Sequence, residues 1–334
     1  MSHEPQPHEP TRLALVGAAS LLGKEIKGQL AASGFPSHAV GLFDLEELAG
    51  VLTDYGEEAR VFADTVTDRI LDHELVCLAG DQQTASDYLG PLLEAGILGL
   101  DCTGAWLDDD RAFPWIPGST APPRLEEHRG IAIPHATAIA LGATTAALGD
   151  LGTPLSATIF LPASELGDAG LQELSQQSNA VLNLLDVDVE IFGRRQAFDL
   201  WVPSPDHPHC AERLAALLRR LELRLPAINV VSAPVFHGMA LSVFVAGAAA
   251  EEVSAALQAA GFLVAGAGTA GNTDDAHDSP ARVVGKPGMH TLTVRNDAGG
   301  AWIWSVVDNL HSRAAAALAA IHTLLGESVS GALQ

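Results

Sequence analysis

The chain has 334 residues, of which 48% are hydrophobic, and its 41 acidic against 18 basic side chains give a net charge of −23. This hydrophobic content is enough for two sizeable cores and excludes a disordered or fibrous chain. The acidic balance opposes binding to nucleic acid or to an anionic membrane surface, because both need clustered Lys and Arg. Three cysteines cannot form a disulfide framework, so we expect a reducing compartment, the cytoplasm.

The first eleven residues are polar and rich in proline. They contain neither the basic region nor the apolar run of a signal peptide, so we predict a disordered tail over 1–11. No uninterrupted apolar run reaches the length of a membrane-spanning helix, and we therefore expect no membrane partner.

Strands and helices alternate over the first part of the chain. The apolar run 13–17 predicts a strand, and the segment 21–30, with apolar residues at helical spacing, predicts a helix. This alternation indicates a parallel sheet with right-handed crossovers. The further predicted elements are strands over 39–43, 75–79 and 97–101 and a helix ending near 95.

After about residue 150 the order changes to long helices between strand-like runs, which predicts an α+β fold with antiparallel pairing. A stretch rich in Gly, Pro, Asp and Ser, 265–287, predicts a long loop. The predicted elements are strands over 157–161, 228–235, 241–245, 291–294 and 302–307 and helices over 211–223, 251–260 and 312–325.

A glycine-containing turn, 17–23, follows the first predicted strand and opens the first predicted helix. In this context backbone N–H groups can face a pyrophosphate, although two glycines can also serve only a tight turn. Ser20 stands where the usual motif has its middle glycine, and its side chain could crowd a phosphate or donate a hydrogen bond to it. We predict seven cofactor-binding residues: Gly17, Ser20, Leu21, Leu22, Gly23, Asp44 and Gly80.

Asp44 ends the second predicted strand, where an acidic residue accepts a hydrogen bond from a ribose hydroxyl in dinucleotide-binding folds. The alternative is a solvated acidic loop. Because Glu46 and Glu47 would repel a 2′-phosphate, we predict that any cofactor is NAD rather than NADP.

Six segments of the chain stand out by their order and spacing: 16–25, 78–80, 100–106, 130–137, 233–238 and 307–310. Together they resemble the aspartate-semialdehyde dehydrogenase family, in particular its divergent Usg branch. The resemblance implies a Rossmann-like NAD(P)-binding domain over 12–137 and 310–334. It implies an α+β domain over 138–309, similar to the C-terminal domain of semialdehyde and glyceraldehyde-phosphate dehydrogenases.

Active members of this family use a cysteine nucleophile, a histidine base, an arginine and a lysine that hold the substrate carboxylate and phosphate, and NADP for hydride transfer. By the resemblance, the nucleophile position is Ala136 and the base position is Met239, while two arginine positions are Ser232 and Leu107. None of these side chains can perform the family role. The resemblance therefore implies a fold that has lost the dehydrogenase reaction.

One catalytic candidate remains beside the lost nucleophile. His135 precedes Ala136, near a predicted helix start at about Ile139, and is either a catalytic group or a hydrogen-bonded turn histidine. The run 206–210 offers metal donors, but no second ligand pair accompanies it, so we predict no metal site.

Three functions stay open at this point. The first is a pseudoenzyme that binds NAD(P), forms a homodimer and holds a small molecule between its domains. The second is an active oxidoreductase on an aldehyde or acyl phosphate in amino-acid biosynthesis, using Cys102 or His135. The third is a protein-interaction scaffold.

Overall fold

The computed structural model describes residues 12–153, 155–264 and 279–326. The predicted tail 1–11 and most of the predicted loop 265–287 lie outside these residues. The described residues form two compact units. Of the described residues, unit 1 comprises 12–117, 122–133 and 314–326, and unit 2 comprises those in 118–121 and 134–313.

Unit 1 is built on a seven-stranded parallel sheet with a separate two-stranded hairpin. The sheet order is β5-β2-β1-β6-β7-β9-β8, and the hairpin pairs β3 with β4. The strands are β1 Leu13–Val16, β2 Val40–Asp44, β3 Leu52–Tyr55, β4 Glu58–Val61, β5 Ala63–Asp64, β6 Leu75–Leu78, β7 Leu98–Asp101, β8 Ala112–Pro114 and β9 Gly130–Ala132.

The central strands of this sheet are buried along their whole length. All four residues of β1 and of β6 are buried, as expected for parallel strands that are covered on both faces. Helices follow the strands, and α1 buries Ile26 and Leu30. The helices of this part are α1 Leu21–Ala32, α2 Thr67–Ile70 and α3 Gln82–Ala95.

Unit 2 is built on a six-stranded mixed sheet in the order β11-β10-β12-β15-β14-β13. The pairs β10–β12, β12–β15 and β14–β15 are antiparallel, whereas β10–β11 and β13–β14 are parallel. The strands are β10 Leu155–Leu161, β11 Ala227–Ser232, β12 Met239–Ala246, β13 Leu263–Val264, β14 Met289–Asp297 and β15 Gly300–Val307.

The core of unit 2 lies on one face of this sheet. Strand β10 alternates buried and half-buried residues, which is the period of a strand with one face in the core. The apolar helix α4 contributes Leu141 and Leu148 to the same core. The helices of this part are α4 Ala136–Leu148, α5 Gly167–Leu182, α6 Ala211–Arg220, α7 Ala250–Ala259 and α8 Pro280–Val283, and the chain continues into α9 Asn309–Leu324.

The predicted fold class is confirmed, and the α/β half is parallel throughout its main sheet. Three expectations need correction. The second sheet is mixed, because its β10–β11 and β13–β14 pairs are parallel. The strand predicted over 228–235 ends at Ser232, and the helix expected near Ile139 begins at Ala136. Hairpin β3–β4 and helix α5 were not predicted.

No helix among the described residues is both long enough and apolar enough to span a membrane.

Candidate functional sites

The predicted nucleotide turn connects β1 to α1 and depends on two glycines. Gly17 has a φ of +78°, a left-handed conformation that glycine adopts without steric cost. A Cβ atom on Gly17 would overlap the backbone of Gly80, which follows β6. The turn therefore packs directly on the end of the neighbouring strand.

Ser20 holds this turn in place through its hydroxyl group. It is the N-cap of α1, and its Oγ accepts a hydrogen bond from the Gly23 N–H at 2.9 Å. The same hydroxyl donates to the Ala79 carbonyl at 2.6 Å. The proton that could have reached a phosphate is therefore used within the protein.

The Asp44 carboxylate also bonds to the turn. Its Oδ2 accepts from the Ala19 N–H at 2.6 Å and its Oδ1 accepts from the Leu45 N–H at 2.9 Å. Asp44 is buried, so these charge-assisted hydrogen bonds are shielded from water. The acidic side chain lies beside the turn and does not form part of a solvated loop.

Most N–H groups at the start of the turn already have acceptors. Those of Gly17 and Ala18 donate to the Phe43 carbonyl, and that of Ser20 donates to the Gly17 carbonyl. Leu21 and Leu22 occupy the first two positions of α1, where N–H groups have no acceptor within the helix. These first-turn N–H groups are the kind that bind an anion at a helix N-terminus.

A cavity of about 260 Å³ opens beside the turn. It holds two carboxylates, Asp44 and Asp81, and no Lys, Arg or His is among its lining residues in the described chain. Burial alone would raise the Asp81 pKa, but hydrogen bonds from Thr84 outweigh burial and the pKa is lowered. The lining residues are Val16, Gly17, Ala19, Ser20, Asp44, Leu45, Leu48, Thr65, Leu78, Gly80, Asp81, Thr84 and Ala85.

Of the seven predicted cofactor residues, the structure brings four together around this cavity, and three lie on the first turn of α1 outside its lining. The first group comprises Gly17, Ser20, Asp44 and Gly80, and the second comprises Leu21, Leu22 and Gly23.

A second group of functional side chains lies in unit 2. His135 is the N-cap of α4, but its side chain makes no capping hydrogen bond. Glu165 lies in the short 3₁₀ helix Ala163–Leu166, and His209 lies two residues before α6. The ligand atoms of these three side chains lie within 4.8 Å of one another. We call this group the His–Glu–His cluster.

Within the His–Glu–His cluster the side chains face one another. Glu165 Oε2 lies 3.9 Å from His209 Nδ1, and the exposed fractions of these side chains are 1% and 4%. The rings of His135 and His209 meet edge to face, with their centroids 4.6 Å apart. Asn309 Nδ2 donates to Glu165 Oε1 at 2.8 Å, which fixes the carboxylate.

Both imidazoles of the cluster are neutral at neutral pH. Burial lowers the pKa of His209 to about 4, with smaller contributions from His207 and Arg313 and an opposing one from Glu165. Burial, helped by His209 and Arg313, also lowers the His135 pKa well below its ordinary value. Neutral imidazoles can accept a hydrogen bond or bind a metal.

The positions that the resemblance implies for nucleophile and base are apolar and enclosed. Ala136 is fully buried in the first turn of α4, and Met239 is fully buried at the start of β12. Of the two arginine positions, Leu107 is buried and Ser232 donates its hydroxyl proton to Gln196 Oε1 at 2.8 Å. None of these side chains carries a charge.

All three cysteines are buried. The Sγ atoms of Cys77 and Cys102 lie 3.8 Å apart inside unit 1. Cys210 is the N-cap of α6, and its Sγ accepts from the Arg213 N–H at 3.4 Å. No thiol is exposed, so the alternative of a reactive Cys102 has no support in the geometry.

Sequence reasoning identified His135 but missed its two neighbours. Glu165 is 30 positions and His209 is 74 positions from His135, so no local spacing connects them. His209 belongs to the metal-donor run 206–210, which was the one available signal. That run was discounted because the chain has no second ligand pair at a zinc-like spacing.

No protein-family model matches the chain. A USG-1 protein homolog of Pseudomonas aeruginosa is 27% identical over 252 residues, which cover 70% of this chain and 73% of that protein. A USG-1 protein homolog of Azotobacter vinelandii is 29% identical over 258 residues, covering 73% and 76%.

Comparison with solved structures shows that the chain has the fold of aspartate-semialdehyde dehydrogenases. A probable aspartate-semialdehyde dehydrogenase from Pseudomonas aeruginosa superposes with a TM-score of 0.78 at 25% identity, covering 94% of this chain and 98% of that one. The chain is therefore similar to the USG-1 protein homologs and has the fold of the aspartate-semialdehyde dehydrogenases. A Candida albicans aspartate-semialdehyde dehydrogenase solved with NADP has a TM-score of 0.61 at 11% identity, covering 95% of this chain and 99% of that one, and supports the fold alone.

The recognition made from the sequence is therefore confirmed. The domain limits, the homodimer and the small-molecule ligand between the domains stay predictions.

Proposed function

We propose that this USG-type protein binds NAD and does not perform the thiol-dependent dehydrogenase reaction of the aspartate-semialdehyde dehydrogenases. One observation supports the proposal: Ala136, which the resemblance implies is the nucleophile position, is buried, and all three cysteines are buried elsewhere. A thioacyl intermediate needs a thiolate that substrate can reach. By the same resemblance the position of the histidine base is the buried Met239, whose side chain cannot accept a proton.

The cavity beside the turn supports NAD as the ligand. Gly17 and Gly80 let a ligand approach the backbone closely, and Asp44 can still accept from a ribose hydroxyl through its remaining lone pairs. Its volume, about 260 Å³, is just below the ~300–1,000 Å³ of ligand pockets, which suits part of a dinucleotide. When bound, NAD supplies a hydride acceptor.

The charge of the lining favours NAD over NADP. Asp44 and Asp81 both face the cavity, and its lining contains no basic side chain in the described chain. A 2′-phosphate would add two negative charges near these carboxylates without a cation to pair with. We expect NAD to bind at least about tenfold more tightly than NADP, a difference of about 1.4 kcal/mol.

The test combines binding and turnover. Calorimetric titration with NAD and with NADP measures the preference, and absorbance of the reduced nicotinamide measures turnover with aspartate semialdehyde and phosphate. We expect NAD binding and no turnover above a protein-free blank. The variant Ala136→Cys should stay inactive, because Met239 still cannot act as a base.

Two outcomes would overturn the proposal. Turnover by the natural chain that disappears in His135→Ala would show that a new catalytic group has replaced the thiol. Equal affinities for NAD and NADP would show that Asp44 and Asp81 do not disfavour the 2′-phosphate. Pretreatment with iodoacetamide serves as the thiol control and should change neither result.

We also propose that the protein forms a homodimer through an apolar surface of unit 2. The segment 182–202 exposes eight large apolar side chains, among them Leu184 at 95%. Large exposed apolar patches are rare on monomers and mark interaction surfaces. The eight residues are Leu182, Leu184, Leu185, Val189, Ile191, Phe198, Leu200 and Val202.

Sedimentation equilibrium tests the homodimer. We expect twice the chain mass for the natural protein and the single mass for Leu185→Glu, because a charge in this surface opposes its burial. Val61→Glu is the matched control, since Val61 is an exposed apolar residue of unit 1. A monomeric natural protein, or a Leu185→Glu variant that still dimerises, would contradict the proposal.

A further inference from the structure

The His–Glu–His cluster contains three buried polar atoms without a hydrogen-bond partner among the described residues. They are His135 Nδ1, His209 Nδ1 and Glu165 Oε2. Buried polar atoms are nearly always paired with protein or with ordered water, so three unpaired atoms in one place indicate a ligand. The proposed loss of the dehydrogenase reaction does not enter this argument.

We propose that His135, Glu165 and His209 bind one divalent cation of the zinc class. Two imidazole nitrogens and one carboxylate oxygen form a donor set that zinc accepts, with a fourth position left for water or another ligand. The borderline-soft nitrogen donors disfavour Mg²⁺ and Ca²⁺, which prefer oxygen ligands. One cation would satisfy polar atoms from all three side chains at once.

The distances require only a small closure of the cluster. Zinc bonds of about 2.0–2.1 Å in a tetrahedral arrangement place ligand atoms about 3.3 Å from one another. Glu165 Oε2 and His209 Nδ1 are 3.9 Å apart, and no pair of ligand atoms exceeds 4.8 Å. Side-chain rotations can bring the three atoms to these positions without a change of fold.

The surroundings orient the carboxylate and set the charge of the fourth ligand. Asn309 donates to Glu165 Oε1, which leaves Oε2 directed at His209. Arg313 is close enough to lower the pKa of both histidines, so it adds positive charge near the ion. A hydroxide or a small carboxylate in the fourth position would offset that charge.

The experiment titrates Co²⁺ and Zn²⁺ into the full chain after chelator treatment and dialysis into metal-free buffer. Co²⁺ reports its coordination through visible absorption, so the readout does not need enzymatic activity. We expect absorption that saturates at one equivalent and is displaced by Zn²⁺. Calorimetry then gives the Zn²⁺ affinity.

Variants assign the ion to the cluster, because the chain has 13 histidines. Glu165→Gln and His209→Phe should each weaken Zn²⁺ binding at least about tenfold, since each removes a ligand. His207→Gln is the matched control. The His207 ring lies 5.8 Å from that of His209 in the same segment, but it is outside the cluster. It should bind Zn²⁺ like the natural chain.

Circular dichroism shows whether each variant is folded. If Glu165→Gln does not fold, Zn²⁺ binding by His209→Phe tests the proposal instead. Phenylalanine keeps the edge-to-face ring contact with His135, so this variant should fold. Absence of saturable Co²⁺ binding would overturn the proposal and indicate water between the three groups. Full binding by His209→Phe, or equal loss in His207→Gln, would also overturn it.

Discussion

The glycine turn of unit 1 and the His–Glu–His cluster of unit 2 differ in how their polar groups are satisfied. In the turn, the Ser20 hydroxyl and both Asp44 oxygens have backbone partners. In the cluster, one atom of each side chain is buried without a partner among the described residues. The side chains of Ser20 and Asp44 are thus bonded within the protein, whereas, in the described part of the chain, the cluster has one unbonded polar atom on each side chain.

This difference shows that a motif and a ligand site are separate properties. Most polar groups of the turn form hydrogen bonds that connect β1 to α1. A ligand at the turn can therefore contact mainly the glycine backbone and the first N–H groups of α1. Among the described residues, the three unpaired atoms of the cluster make no hydrogen bonds that stabilise the fold. Burying them costs free energy, and a bound ion would offset that cost. The two sites should therefore respond in opposite ways to substitution.

The larger effect on stability is expected for Ser20→Ala. It removes the N-cap of α1 and the bond to the Ala79 carbonyl, so the free energy of unfolding should fall by about 1 kcal/mol. NAD affinity should change little, because the hydroxyl proton is already donated within the protein. Chemical denaturation and calorimetry measure the two quantities.

Ser86→Ala is the control for that substitution. Ser86 is an exposed residue inside α3 whose hydroxyl donates to the Gln82 carbonyl, so its loss should change stability by less than about 0.5 kcal/mol. A Ser20→Ala variant as stable as the natural chain, but with weakened NAD binding, would show that the hydroxyl serves the ligand.

The smaller effect is expected for His209→Phe in metal-free protein. The imidazole Nδ1 has no partner to lose, and an aromatic ring keeps the contact with His135. The free energy of unfolding should stay within about 1 kcal/mol of the natural value or rise. Added Zn²⁺ should raise the melting temperature of the natural chain and leave that of the variant unchanged.

If the free energy of unfolding of metal-free His209→Phe fell by more than about 2 kcal/mol, the contrast between the turn and the cluster would be contradicted. Such a loss would show that the His209 imidazole is fully hydrogen-bonded in solution. Phe192→Leu serves as a reference for the stability change when a buried aromatic side chain of unit 2 is replaced, because Phe192 is a buried residue of a separate apolar cluster.

Much of the fold could be predicted because its signals are local. The apolar run 13–16 is a buried central strand, and the glycine turn that follows it has the conformation that its motif requires. Asp44 lies beside this turn, and its role as an acceptor for a ribose hydroxyl stays a prediction. These features depend on residues close in sequence or on neighbouring strands of one parallel sheet.

The rest could not be predicted because it depends on contacts across long separations. Glu165 lies in a 3₁₀ helix without a sequence signal, and only the packing of unit 2 brings it to His209. The parallel pairing of β10 with β11 was missed because apolar alternation does not give strand direction. The internal use of the Ser20 hydroxyl likewise depends on a carbonyl 59 positions away.

Crystallography of the full chain grown with Zn²⁺ and NAD tests the contrast between the two sites most directly. The account predicts one anomalous peak at the zinc absorption edge, about 2.0–2.2 Å from ligand atoms of His135, Glu165 and His209. The Ser20 and Asp44 hydrogen bonds should be unchanged. A cluster that holds only a water molecule, with no anomalous signal, would contradict the account.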